Sequence, residues 1–320
     1  MRQTLLLAAK ILASLALLYF ALRGIDFAQV KARLVHINVA WILLATAVAL
    51  FQLWLGAVRW RDVTRVCGTE LPLGRAFRYN FIGAFFNQTL PSAIGGDAVR
   101  LMLLGRSDAG WRTATYSVFI DRAIGLIALA VLVLGTLPLS WQLIVDEKGR
   151  YAIALLGLAA IGAGAGFLLL GWLPWPWLDS WFPTRHLRAC SQVANQVIFG
   201  RKTALRIAVV SITIHVLAVV MVWMIAQSIV AAGQPVQLLA VVPPVMLITM
   251  LPISIAGWGL REATMMVAFG YAGLPQADGL TVSLLYGAMI FAIGAAGGVV
   301  WILSSEKAAG ASVSEPVPEP

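Results

Sequence analysis
Of 320 residues, 60% are hydrophobic and only 12% are charged, about half the charged share of a soluble domain, so an ordinary soluble fold is excluded. The net charge of +9 would suggest nucleic acid in a soluble protein. Here basic loops drawn to anionic headgroups account for it, and no nucleic-acid partner is expected.

Several apolar runs reach the ~20 residues that a helix needs to cross a bilayer. They lack the alternation of an outer-membrane barrel, and backbone groups in lipid must bond internally, so the runs read as helices. An all-α polytopic membrane protein is expected, with about six spanning helices at 5–22, 39–58, 114–137, 151–173, 206–230 and 280–303. The first run ends at Arg23-Gly24 without a small-residue cleavage site and reads as a retained helix, not a signal peptide. Two more apolar stretches, 77–104 and 239–272, are interrupted by Pro and Gly and are expected to be broken or re-entrant hairpins. Residues 1–303 form one membrane domain on this reading. The small, acidic, proline-rich stretch 304–320 is a disordered cytoplasmic tail. Cys67 and Cys190, far apart in the chain, suggest neither a disulfide nor a metal cluster.

Positive charge orients the spans. The 59–80 connection carries Arg59, Arg61, Arg65, Arg75 and Arg78 against Asp62 and Glu70. The 174–205 connection carries Arg185, Arg188, Arg201 and Lys202 against Asp179, so both are expected in the cytoplasm. The balanced 138–150 and the uncharged 231–238 suit the outside. The 23–38 connection dissents, with Arg23, Lys31 and Arg33 against Asp26. Trp172, Trp175, Trp177 and Trp181 read as an interfacial aromatic belt.

The two interrupted stretches are related. LPSAIGGDAVR (90–100) and LPISIAGWGLR (251–261) align without a gap at an offset of 161 (251 − 90), with five of eleven positions identical. Three spans separate the copies, and an odd number inverts the second, giving an inverted repeat. Paired Gly/Pro-interrupted segments in corresponding halves point to a transporter's central site. The plainer alternative is that Pro and Gly merely kink two ordinary spans.

A helix restarting near Asp97 would offer free N–H groups to an anion, and Arg100 could add a bidentate phosphate contact. The second copy is expected to restart near Gly257–Gly259, with Arg261 and Glu262 at the helix start and Arg261 equivalent to Arg100. Two facing breaks would make a headgroup cradle. The competing reading is internal pairing, with Asp97 capping its helix and both arginines bonding freed carbonyls. Asp121-Arg122, placed near the start of the third span, should not pair with each other. At least one should reach the broken loop or the interface, with snorkelling as the bland reading for Arg122. His215 reads as a satisfied hydrogen-bonder, and Met246, Met250, Met265 and Met266 as packing. Three scattered histidines give no zinc spacing, and Walker loop and serine elbow are absent, so neither catalysis nor a cofactor is expected.

NQTLPSAIGGDAVR, DRAIGL and LPISIAGWGLREA together resemble the transmembrane domain of lysylphosphatidylglycerol synthase/flippase proteins and their free-standing relatives, over about 5–303. The resemblance implies a bacterial inner-membrane protein that moves a lipid or helps make it available; the loop charges and the parity of the spans put both termini in the cytoplasm. Motif positions match at Asn87, Pro91, Gly95, Gly96, Asp97, Arg100, Asp121, Arg122, Gly257, Gly259, Arg261 and Glu262, and the repeat adds Pro252. The soluble aminoacyl-transferring domain has no counterpart here, so lipid lysinylation is not expected. The expected function is translocation of an anionic or phosphate-bearing lipid (phospholipid, aminoacyl-phospholipid or isoprenoid/hopanoid-type) during envelope biogenesis. The rivals are an accessory subunit of a separately encoded lipid synthase or glycosyltransferase, and a membrane-embedded transferase using the acidic pair Asp146-Glu147. Membrane lipids are the expected partners, and a homo-oligomer is compatible with the reading.

Overall fold
The computed structural model describes residues 31, 33–35, 37–90, 94–144, 146–175, 180–200, 203–231, 233–251, 254 and 256–304. Among them every regular element is a helix. In chain order these are α1 (Val39–Val66), α2 (Leu73–Thr89), α3 (Gly95–Gly105), α4 (Gly110–Gly135), α5 (Leu137–Leu143) and α6 (Glu147–Leu170). Then come α7 (Phe182–Phe199), α8 (Ala204–Ser228), α9 (Pro235–Thr249), α10 (Leu260–Tyr271) and α11 (Gln276–Leu303). Helices α1, α4, α6, α8 and α11 are long and apolar enough to cross a membrane, and they correspond to five of the expected spans. The expected span 5–22 and the tail from 305 onward lie outside the described residues.

Two expected connections hold helix instead of loop. The span expected at 39–58 does not stop at 58. α1 continues to Val66 because the charges there are paired: Arg59 with Asp121, and Asp62 with both Arg61 and Arg206. A paired charge no longer has to leave the helix for water. The 174–205 connection contains α7, an amphipathic helix that buries Cys190, Ser191, Ala194, Asn195 and Val197 and exposes Phe182, Leu187 and Phe199. Trp172, Trp175 and Trp181 of the expected belt are exposed, and Trp177 lies outside the described residues.

Each interrupted stretch is divided into two helices that pack against each other. Gly96 of α3 lies against Gly83 and Asn87 of α2, and one turn later Arg100 lies beside Gly83 as well. Further along α3, Leu103 and Leu104 share a core with Ala76 and Tyr79 of α2, so the pair is antiparallel. In the second stretch Gly233, just before α9, touches Leu274, just after α10, so the chain enters and leaves at one level. At ~1.5 Å per residue, the 11 residues of α3 and 12 of α10 reach only about 16 and 18 Å.

The first hairpin rests on α11 through glycine. A Cβ at Gly297 would overlap the carbonyl oxygen of Phe81, one at Gly294 would stand 3.2 Å from that of Ala84, and Gly298 faces the Phe85 ring. Small residues let backbones approach closely where lipid gives no hydrophobic push. Arg33 ties residues 33–35 to the opposite end of α11, its Nε and Nη2 donating to Asp278 at 2.9 and 3.1 Å.

Candidate functional site
The first break is organised by a side chain of its own hairpin. α3 starts at Gly95, and the Gly96 N–H donates to Oδ1 of Asn87 at 2.8 Å. A Cβ at Gly96 would overlap the Gly83 carbonyl, so only glycine permits this approach. One helix-terminal N–H is therefore consumed inside the protein and is not offered to an anion. Asp97 sits in the first turn, where it complements the helix dipole, but Ile94 and not Asp97 is the N-cap.

Asp97 instead begins a chain of ion pairs. Its Oδ1 accepts from Nη1 of Arg100 at 3.0 Å, and its Oδ2 faces Nε of Arg122 at 3.2 Å. Arg100 Nη2 reaches Oδ2 of Asp121 at 3.0 Å, and Nε of Arg59 reaches Oδ1 of Asp121 at 2.8 Å. Beyond it, Nη1 of Arg59 contacts the Ser211 hydroxyl at 3.5 Å. Trp60 supports the chain from below: its ring lies 4.2 Å from the Arg100 guanidinium and its Nε1 donates to Ser117. Three arginines against two aspartates leave one surplus positive charge. The side chains of Arg59 and Arg100 are only 11% and 12% exposed, whereas Arg122 is 39% exposed. Asp121 and Arg122 are not near the start of their span, as the sequence suggested. α4 begins at Gly110, which puts them at its midpoint.

The cluster faces a cavity of about 320 Å³. Arg59, Arg100, Asp121 and Arg122 line it with Gln52 of α1, His215 of α8, Met246, Thr249 and Met250 at the end of α9, and Tyr286 of α11. His215 Nε2 lies 2.9 Å from the Gly125 carbonyl. A carbonyl can only accept, so Nε2 carries the proton and Nδ1 is left as an acceptor. His215 is thus a satisfied interhelical hydrogen-bonder, and the two α9 methionines are wall residues. The site can hold an anion by charge and accept one hydrogen bond at its histidine.

The second break is a closed unit. Ala256, Gly257 and Gly259 all have positive φ, which admits glycine freely and alanine only at a cost. Glu262 Oε2 accepts from the Gly259 N–H at 2.6 Å, while Oε1 takes Nη2 of Arg261 at 2.7 Å and the Ser283 hydroxyl at 2.9 Å. Arg261 Nε donates to Ser283 at 3.0 Å, and its guanidinium lies 4.9 Å from the Trp258 ring and 5.6 Å from that of Tyr286. The internal correspondence extends past the motif. Arg100 bonds a residue 21 positions ahead and Arg261 one 22 positions ahead, each on the span that follows its hairpin.

Of the residues singled out in the sequence, Asn87, Gly95 and Gly96 hold the first hairpin, and Asp97, Arg100, Asp121 and Arg122 meet in the cluster. Gly257, Gly259, Arg261 and Glu262 meet in the second network, which among the described residues reaches the cavity through Tyr286. Among the described residues both arginines take carboxylates: Arg100 those of Asp97 and Asp121, Arg261 that of Glu262. Pro91 and Pro252 lie outside the described residues. Sequence reasoning missed Arg59, Trp60, Gln52, Ser211 and Tyr286. A signal existed for Arg59, since Asp121 at mid-span demanded a cationic partner from some other helix.

Among the described residues no three His, Cys, Asp or Glu side chains converge to hold a metal. No curated protein matches the chain. The pattern of the family described as the lysylphosphatidylglycerol synthase TM region matches residues 7–298, and the chain belongs to that family.

Proposed function
We propose that this multi-pass membrane protein is a flippase-like translocator of an anionic, phosphate-bearing lipid in a bacterial inner membrane. The observation that carries the reading is the surplus arginine charge around a cavity in the middle of the spans. Intramembrane charges are costly and are kept where they do something. A buried arginine fork suits phosphate better than a lysine would. Neither α3 nor α10 is long enough for a hydrocarbon layer of ~30 Å, which supports two re-entrant hairpins in an inverted repeat. Alternating access is then rocking of one repeat against the other, with both termini in the cytoplasm.

Phospholipid, aminoacyl-phospholipid and isoprenoid- or hopanoid-type phosphates all present the required anion. The transferase alternative is weakened by Asp146, whose carboxylate is spent accepting from the Gly149 N–H as the cap of α6. The accessory-subunit alternative is an outcome of the test. Purified protein in liposomes containing headgroup-labelled lipid should move label between leaflets, as read by a membrane-impermeant quencher. Arg100→Gln should abolish that movement and Arg100→Lys should retain part of it, at equal incorporation. Inert liposomes, with activity restored only by a separate lipid synthase or glycosyltransferase, would instead establish an accessory role.

A further inference from the structure
A second hollow, of about 510 Å³, lies on the outer flank of the first hairpin between α3 and α4. Its walls are mostly apolar, with Leu90, Ile94, Ala98, Leu101, Val118 and Phe119 joined by the Thr115 side chain. Leu90, Ile94 and Phe119 are 36%, 53% and 45% exposed, so the hollow opens to the outside of the helix bundle. Its floor is not apolar. Asp97 and Arg122 lie there, and Arg122 also lines the central cavity. The ion pair between them is thus the partition between a lipid-facing groove and the charged cavity.

The partition holds the longest of the cluster's four ion pairs named above. Arg122 Nε stands 3.2 Å from Asp97 Oδ2, an oxygen that receives no hydrogen bond, whereas the Arg100 contact to Oδ1 is a formed hydrogen bond at 3.0 Å. Arg122 is also the most exposed of the three arginines. Turning its guanidinium from Asp97 to an arriving phosphate replaces one carboxylate oxygen by another anionic oxygen, while Asp97 keeps Arg100.

We infer that this groove is the seat of the lipid's hydrocarbon chain, and that the Arg122–Asp97 pair is a lateral portal through which the attached phosphate passes into the cavity. The inference rests on the phosphate-lipid reading above and adds to it. The ligand is an amphiphile arriving from the bilayer plane, because a groove walled almost wholly by apolar side chains gives a free anion little to bind.

The test uses the full chain in nanodiscs and liposomes with two probes. One is glycerol phosphate, which has the anion but no chain. The other is a phospholipid carrying a photoactivatable group in its acyl chain. In the unsubstituted protein the chain should crosslink to α3 and α4, and excess unlabelled phospholipid should compete while neutral diacylglycerol should not. Ala98→Trp, which fills the groove without touching the ion pairs, should eliminate crosslinking and lipid movement and leave glycerol phosphate binding unchanged. Equal competition by diacylglycerol would mark the groove as ordinary lipid contact and overturn the inference, as would undiminished lipid movement in Ala98→Trp. If the unsubstituted protein neither binds glycerol phosphate nor moves lipid, the phosphate reading itself fails and the portal falls with it. Loss of glycerol phosphate binding in Ala98→Trp alone would overturn the separation of groove from cavity.

Discussion

Asp121→Asn and Arg100→Gln should move anion affinity in opposite directions. Asp121 sits between Arg59 at 2.8 Å and Arg100 at 3.0 Å, and both arginines line the cavity. Removing the carboxylate charge raises the cluster's surplus from one positive charge to two, and Arg100→Gln lowers it to zero. A phosphate beside Arg59 and Arg100 would stand one guanidinium beyond Asp121, roughly 6 Å away, where one charge at an effective dielectric of about 20 is worth about 2.8 kcal/mol. That corresponds to about 100-fold in affinity as an upper figure. Asp121→Asn should therefore bind phosphate more tightly, and Arg100→Gln more weakly by a similar factor. Stability runs the other way for Asp121→Asn, because it leaves two buried guanidinium groups side by side, at a cost of up to about 3–5 kcal/mol. Arg100→Gln is milder, since Asp97 keeps Arg122 and Asp121 keeps Arg59. Calorimetric titration of nanodisc-held protein with a short-chain phosphatidylglycerol, beside thermal melts of the ligand-free protein, separates the two effects. If both substitutions weaken binding alike, the cluster is a scaffold and the anion site lies elsewhere.

Arg261→Gln should lower the melting temperature and leave phospholipid affinity unchanged, since Arg261 is committed to Glu262 and Ser283 and does not line the cavity. A loss of affinity at preserved stability would restore the equivalence with Arg100 that the repeat suggested. Gly96→Ala should destabilise the first hairpin by about 1–3 kcal/mol through overlap with the Gly83 carbonyl, read as a lower melting temperature in detergent. Burial pushes the Cys67 thiol up to about 12 and the Cys190 thiol to about 11, from the usual 9.0. Both raised values mean that stability from the neutral thiols is complete below about pH 9 and is lost as pH rises through 11 and 12; a melt-versus-pH series should be flat, then fall, and maleimide at pH 8 should label neither thiol before denaturation. Reporter fusions at 138–150 and 231–238 should read outside and those at 67–72 inside; a cytoplasmic 231–238 would remove the inverted repeat.

The spans were legible because length and apolarity alone decide whether a helix can cross lipid. The breaks were legible because Pro and Gly are the residues that interrupt one. Arg59 was not, because a charge at the end of an apolar run usually marks the exit from the membrane, and only its pairing with Asp121 keeps it inside. α7 was hidden because its apolar face is narrow and its sequence is as polar as a loop. The two arginines stand in different surroundings, and one aligned position accounts for the difference. Where the first copy has Asp97, which engages Arg100 and Arg122, the second has Trp258, which stacks on Arg261 and leaves Glu262 to fasten it. Aligned sequences thus carry an open charge cluster at the first break and a more enclosed one at the second.

The glycine seam of Gly294, Gly297 and Gly298 has a consequence for temperature. Adhesion there is backbone against backbone, so it draws on dispersion and weak Cα–H···O contacts more than on release of water. Water-driven attraction fades on cooling, but dispersion does not. The seam between the first hairpin and α11 should therefore keep its grip in a chilled membrane, when any contact that depends on expelled solvent is loosening.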